Sequence, residues 1–195
     1  MPNTSSSTPV YYPKDGLKSD IHPARLYIKK TGFPKYVMVS GGVSKLGKTP
    51  LLFVESGTKI NSEHYQELLN QMLPACRALA NEQPFIFQQD GARSHTSAST
   101  LAYFAEHADD CELLPPSKWP AKSPDLNPCD YSIWNELNAS LHKRMQFENV
   151  EEMKAHLLRV WDQLPQQHID NCINSFRKRC RHVIEVDGYN IDHMN

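Results

Sequence analysis

The chain has 195 residues, with 21 Lys and Arg against 22 Asp and Glu, and a formal net charge of -1. That balance excludes a strongly basic nucleic-acid coat but leaves local basic patches open. The length suits one domain, or one domain plus tails, and is enough to bury a real core. A hydrophobic content of 39% with 22% charged residues is ordinary for a globular protein. No apolar run approaches a membrane span, and the opening MPNTSSSTPVYYPKDG is too polar for a signal peptide.

The first thirty or so residues are rich in Ser, Pro and Lys and read as irregular, with one β-prone stretch at Val10-Tyr11-Tyr12. Val37 to Ser40, then Gly41-Gly42, then Pro50 to Glu55 form two short β-rich runs, which predicts a hairpin with a longer loop. Ser62 is read as the N-cap of a helix carrying Tyr65, Leu68, Leu69, Met72 and Leu73 at helical spacing. Phe85-Ile86-Phe87 is continuously apolar, as expected of a strand buried on both faces, and runs into Gln88-Gln89-Asp90-Gly91.

A helix is predicted from about Thr96 to His107 with Leu101, Phe104 and Ala105 inward, then a short strand at Leu113-Leu114 and a proline-rich loop from Pro115 to Pro128. The remainder reads as helical. Ile133, Leu137 and Leu141 repeat every four residues, a second amphipathic helix spans about Val150 to Leu164, and a third about Ile169 to Ile184. The division is an irregular segment at 1–34, a core at 35–190 and a tail at 191–195, with no internal repeat. The cysteines at 76, 111, 129, 172 and 180 are scattered without a C-x-x-C pair, so reduced thiols are expected rather than disulfides or a structural zinc site.

Asp90 and Asp130 are the candidate catalytic and metal-binding residues. Asp90 closes an apolar strand, where open α/β sheets place ligand-binding groups, although Asp-Gly is also a common turn dipeptide. Asp130 follows Asn127 and Pro128, a pattern of N-cap, proline at N1 and carboxylate at N3, so its local role is to favour the helix dipole. Capping and metal binding are compatible, because a helix terminus can aim a carboxylate at a strand end.

Context changes the weight of these residues. FIFQQDGARSHTS, then WPAKSPDLNPCDYSIWNEL, then INSFRKRC and HVIEVDGYN resemble the mariner superfamily of transposases in order and spacing. Upstream, KYVMVSGGVSKLGKTPLLFVESGTKINSEHYQELL is similar to that family's segment between its first and second acids. The resemblance covers about residues 35–190, and Trp119 to Pro128 is its most specific part.

It implies an RNase H-like α/β fold, a mixed sheet flanked by helices, with a DDE or DDD triad holding Mg²⁺ or Mn²⁺ for phosphoryl transfer on DNA. Hard cations favour carboxylate oxygens, so such chemistry needs acids rather than His or Cys. Asp90 matches the second acid and Asp130 the third; the 39 residues between them, 91–129, make this an Asp variant. Asp125 is read as structural, bonding backbone amides near Asn127. His95 matches a position beside the site, left open between a site role and a packing or capping role.

The first acid, which in the family closes the first strand, has no counterpart. Asp15 and Asp20 lie in lysine-rich sequence and follow no apolar run. In RNase H-like sheets that strand is central, between the second and fourth. The expectation is an incomplete core, N-terminally truncated and without the family's upstream helix-turn-helix region. In it either Val10-Tyr11-Tyr12 serves as a surrogate strand or the N-terminal part is poorly ordered.

Three readings follow. One is a Mg²⁺-dependent nuclease or transposase using a surrogate acid; another is a catalytically impaired, transposase-derived module that binds DNA or a transposase partner; the third is an unrelated α/β protein with accidental motifs. The second is preferred, which leaves enzymatic activity open. Implied partners are DNA and self or a full-length transposase, with no membrane and no small-molecule cofactor, in the nucleus. Candidate nucleic-acid contacts are Lys45, Lys48, Arg93, His95, Lys118 and Lys122, followed by Lys143, Arg144, Arg177, Lys178, Arg179 and Arg181, against the alternative of a solvated basic face.

Overall fold

The structure, a computed structural model, describes residues 37–55, 57–107, 110–144, 147–189 and 191. The stretch Val10-Tyr11-Tyr12 and the aspartates at 15 and 20 lie outside the described residues.

The first elements are two nested hairpins. β1 (Met38–Ser40) pairs antiparallel with β4 (Leu52–Val54), Val39 opposite Phe53. Inside them β2 (Val43–Ser44) pairs with β3 (Gly47–Lys48), so the longer loop expected from the sequence is itself a small hairpin. Thr49 closes it, its backbone N–H donating to the Gly42 carbonyl at 2.9 Å and its hydroxyl accepting from Gly42 N–H at 2.8 Å. Gly47 is required at the inner turn: its φ is +146°, and a Cβ there would lie 2.6 Å from Leu79 Cδ2.

α1 (Ser62–Leu79) starts one residue earlier than Ser62 suggests. Asn61 is the cap, its Oδ1 accepting from His64 N–H at 2.9 Å, the bond that satisfies an otherwise orphaned amide of the first turn. Tyr65, Leu69, Met72 and Leu73 form its buried stripe, and Pro74 sits inside the helix without ending it. β5 (Phe85–Phe87) runs parallel to β6 (Cys111–Leu113). They are linked through α2 (Arg93–Thr96) and α3 (Ala98–His107). Arg77 fastens the end of α1 to the turn before β6, its Nε 2.7 Å from Asp110 Oδ2 and an Nη2 donating to the His107 carbonyl at 2.7 Å.

After short 3₁₀ turns at Pro116–Lys118 and Pro124–Leu126, a π-helical turn at Cys129–Ile133 leads into α4 (Trp134–Arg144). α5 (Val150–Gln163) and α6 (Gln166–Glu185) complete the described elements. No helix among the described residues is long and apolar enough to cross a membrane.

Two hydrophobic clusters result. One gathers Leu51, Ile133, Leu137, Met153, Leu157, Trp161, Leu164, Ile169 and Cys172 from the three C-terminal helices and the hairpin end. The other joins Tyr65, Leu69 and Leu73 of α1 to Phe104 of α3 and Cys111 of β6. Two expectations need correction. β5 is not buried on both faces: Phe85 and Phe87 pack on the second cluster, but Ile86, pointing the other way, is 65% exposed because no described element covers that face. In α3 the inward residues are Thr100 and Phe104, while Ala105 is exposed, since Thr100 is drawn in by its hydroxyl bond to the Ser94 carbonyl at 2.7 Å.

Trp161 ties the first cluster to the hairpin. Its ring is 2% exposed and stacks on Trp134, and its indole N–H donates to the Thr49 carbonyl at 2.9 Å. Trp161→Phe keeps most of the ring but strands that carbonyl, so urea unfolding is expected to show a loss of about 1–3 kcal/mol. Trp161→Ala is expected to lose about 3–5 kcal/mol.

Candidate metal centre

Asp90 leaves β5 after two glutamines, of which Gln89 fixes the loop. Gln89 accepts from the Tyr65 hydroxyl at 2.7 Å and donates to the His95 carbonyl at 2.9 Å, so the strand exit, α1 and α2 are bolted together. Asp90 Oδ1 accepts from Ala92 N–H at 3.0 Å, making the local turn expected of Asp-Gly while its side chain stays half exposed. His95 Nδ1 stands 2.5 Å from the same oxygen, close but poorly aligned for a hydrogen bond, and its ring lies against Tyr65 with centroids 4.0 Å apart. The His95 nitrogen holds the Asp90 carboxyl below the usual carboxylate range. Desolvation works against this, and the Ala92 amide adds to it. The Tyr65 phenol is pushed up, first by burial and then by the charge of Asp90.

Asp130 is aimed from the opposite side by its helix start. Asn127 Oδ1 accepts from Cys129 N–H at 3.1 Å, Pro128 takes the position whose amide would have no partner, and Asn127 Nδ2 donates to Asp130 Oδ2 at 3.0 Å. The cap therefore holds both the helix terminus and the carboxylate. Burial raises the Asp130 carboxyl; the Asn127 bond opposes the rise and the charge of Asp90 reinforces it. Its neighbour Cys129 is a partly buried thiol pushed up to about 12 by desolvation, then by Asp130 and Cys172.

Asp90 and Asp130 thus line one cavity of about 450 Å³, together with Gln88, Gln89, His95 and Asn127. Asp130 feels the charge of Asp90 across that cavity. Among the described residues no group of three or more His, Cys, Asp and Glu stands together to hold a metal ion. The sequence reading did not single out Tyr65, Gln88 or Gln89 as part of the site; two glutamines placed immediately before the strand-end acid were the available signal.

The remaining candidates are dispersed. Lys45, Arg93, Lys118 and Lys122 are exposed. Lys48 instead caps the C-terminus of α5, its ammonium donating to the carbonyls of Asp162 and Leu164 at 2.9 Å each, with desolvation lowering its pKa. Arg179 lies over the Tyr131 ring at 3.8 Å and donates to the Asp125 carbonyl at 3.0 Å. Asp125 is buried and structural as expected, but its partner is the amide of Ile191 at 3.3 Å rather than one near Asn127. The cysteines are all free thiols.

A strand-end acid and an acid at a helix start line one cavity, set between short sheets flanked by helices, and the fold is RNase H-like. The solved catalytic domain of Mos1 mariner transposase superposes with a TM-score of 0.69, covering 79% of this chain and 75% of that one at 22% identity. A Mos1 mariner paired-end complex with Mn superposes with a TM-score of 0.74, covering 93% of this chain and 51% of that one at 22% identity.

Residues 19–154 match the family described as DDE superfamily endonuclease. The Tc3 transposase of Caenorhabditis elegans is 32% identical over 158 residues, 80% of this chain and 46% of that protein. The Tcb1 transposase of Caenorhabditis briggsae is 33% identical over 153 residues, 78% of this chain and 53% of that protein. The chain belongs to the DDE superfamily endonucleases, as a DDE domain of the mariner transposase superfamily, and spans about half the length of these relatives.

The two acids should leave opposite marks on stability. A raised folded pKa means that Asp130 costs stability as pH rises through the interval between the ordinary carboxylate value and its own. The depressed value of Asp90 contributes stability above the ordinary value, lost as pH falls through its own. In metal-free buffer, Asp130→Asn is expected to raise the melting temperature at pH 7 and Asp90→Asn to lower it. The Asp130 difference should fade below pH ~3, under the reference carboxylate value, while the Asp90 difference fades only at lower pH, as pH falls through its own depressed value; thermal melts from low pH to pH 8 read this directly.

Proposed function

We propose that this chain is a transposase-derived domain that binds DNA and takes a divalent cation at Asp90 and Asp130, with strand cleavage impaired. The observation that carries the cation is the pair of carboxylates facing one cavity, one of them raised by burial and by its partner's charge. A hard divalent ion relieves that repulsion with oxygen ligands of the kind it prefers. The solved Mos1 neighbours include structures with Mn and with Mg, which supports the choice of ion.

When bound, such an ion would polarise a phosphate oxygen or activate water. The chain's own residues fix the geometry: Asn127 holds the Asp130 carboxylate, and Gln89 with Tyr65 holds the loop of Asp90. Impairment is read from the described site itself, where Asp90 and Asp130 are the carboxylates that line the cavity among the described residues. A domain clamping two ions for in-line displacement needs more anionic oxygen than this pair supplies.

The DNA contacts are assigned to the exposed Arg93, Lys118 and Lys122, with Lys45 further along the chain; the internal bonds of Lys48 argue against its taking part. Self-association through a second transposase copy and residence in the nucleus belong to the same proposal; the paired-end complex formed by Mos1 supports the first.

Calorimetry with Mn²⁺ is expected to show weak binding that Asp90→Ala and Asp130→Ala each abolish, with no nicking of supercoiled DNA. Tight two-site binding with nicking that Asp90→Ala removes would overturn the impairment. For DNA, replacing both Lys118 and Lys122 by Ala should weaken binding and reduce the slope of log affinity against log salt by about 2, since each phosphate contact on duplex DNA contributes about 0.9. An unchanged slope would place the phosphate contacts elsewhere.

A further inference from the structure

We infer that Asp125 is a positioning residue for Asp130. It fastens the segment that follows α6 to the turn that carries the acid, so that the order of that segment and the hold on a cation at Asp130 rise and fall together. This rests on the proposed metal role of Asp130 and adds a residue that lies outside the cavity lining.

The local sequence explains how the two segments meet. Val186-Asp187-Gly188 ends α6 by reversing the chain: Asp187 and Gly188 hold φ of +52° and +84°. Asp187 N–H donates to the Ile184 carbonyl at 3.2 Å and Gly188 N–H to the Val183 carbonyl at 2.8 Å. These bonds satisfy carbonyls of the last helical turn, and Asp and Gly are residue types that adopt left-handed backbone at low cost. A Cβ at Gly188 would meet nothing among the described residues within 4 Å, so the dihedral, not the packing, calls for glycine. The reversal returns the chain to the proline-rich loop, where Ile191 is 4% exposed and its N–H donates to Asp125 Oδ2 at 3.3 Å.

Asp125 is itself 5% exposed, and a carboxylate taken that far from water needs polar partners. Its side chain has the Ile191 amide, and its backbone carbonyl accepts from Arg179 Nη1 at 3.0 Å. Two residues further on, Asn127 N–H donates to the Pro124 carbonyl at 3.1 Å and closes the short turn around Asp125. Asn127 in turn holds the acid: its carbonyl accepts from Asp130 N–H at 2.9 Å, and its side-chain amide donates to Asp130 Oδ2 at 3.0 Å. An unbroken run of short-range bonds therefore joins Ile191 to Asp125, to Asn127 and to Asp130. Without the Ile191 amide, the buried carboxylate of Asp125 loses its donor, and opening the turn toward water relieves it at the expense of the Asn127 cap.

The test uses the whole chain and begins without metal. By hydrogen exchange, Asp125→Ala should speed the amide of Ile191 and those of Cys129, Asp130 and Tyr131, which bond Asn127, by about tenfold or more. The amide of Leu69, in the other hydrophobic cluster, should keep its rate. Asp125→Asn retains an acceptor oxygen and should restore most of the protection. Gly188→Ala changes only the turn after α6 and should reproduce the effect of Asp125→Ala, because alanine disfavours a positive φ. Mn²⁺, followed through paramagnetic broadening of the Asp130 amide signal, should bind both alanine variants about tenfold more weakly than the unaltered chain. By reciprocity, saturating Mn²⁺ should slow exchange at Ile191 in the unaltered chain.

Unchanged exchange at Cys129, Asp130 and Tyr131 in these variants would overturn the proposal. Acceleration of Leu69 by the same factor would also overturn it, by making Asp125 a contributor to global stability alone. If Asp125→Ala does not fold, Gly188→Ala decides. If the unaltered chain binds no Mn²⁺, the metal reading fails by itself, and the metal-free exchange still decides whether Asp125 positions Asp130.

Discussion

Two carboxylates are held toward one cavity from two different hydrophobic clusters, and the polar bonds that hold them there tie the two clusters together. Asp90 comes from a strand seated on the cluster of α1 and α3, and Asp130 from a helix start seated on the cluster of the C-terminal helices. Neither acid can move away cheaply. Gln89 is bonded at both ends, and Asn127 both caps its helix and holds the carboxylate. The buried polar bonds are what convert two packed clusters into one site.

The first cluster shows how hairpin and helices share that task. Trp161 reaches from α5 to the Thr49 carbonyl, Lys48 reaches back from β3 to the last carbonyls of α5, and Gly41 lies so close to the Trp161 ring that an added Cβ would stand 3.2 Å from it. Further along, Arg179 of α6 lies on Tyr131 and bonds the Asp125 carbonyl, and the Tyr131 hydroxyl donates to the Cys172 carbonyl at 2.6 Å. The π-helical turn that carries Asp130 is thereby pinned on both sides, which gives the acid the rigid support that a metal ligand needs.

Much of this was legible in the letters. The apolar run at 85–87, the cap pattern at 127–130 and the four-residue repeat of Ile133 and Leu137 each follow from short-range rules, and each stands where those rules put it. What escaped was set by distant partners. Ile86 looks like core because its neighbours are apolar, yet its exposure depends on what lies beside the sheet. Lys48 and Arg179 look like solvated or phosphate-binding cations, yet their charges lie against carbonyls far along the chain. Local pattern identifies a residue's chemistry; only tertiary contact says whether that chemistry is already satisfied.

That distinction bears on how a chain of net charge -1 could hold DNA. With two acids ionised at the cavity, a phosphate approaching it meets repulsion, and the cations that would offset this are fewer than the sequence suggests once Lys48 and Arg179 are taken up internally. Arg93, exposed on α2, and Lys118 and Lys122 in the proline-rich loop retain free charge. A divalent ion at Asp90 and Asp130 would cancel the local negative charge at the same time as it relieved the strain between the acids. On the proposed reading, metal and DNA affinity would be linked through one field, each strengthening the other by the same factor.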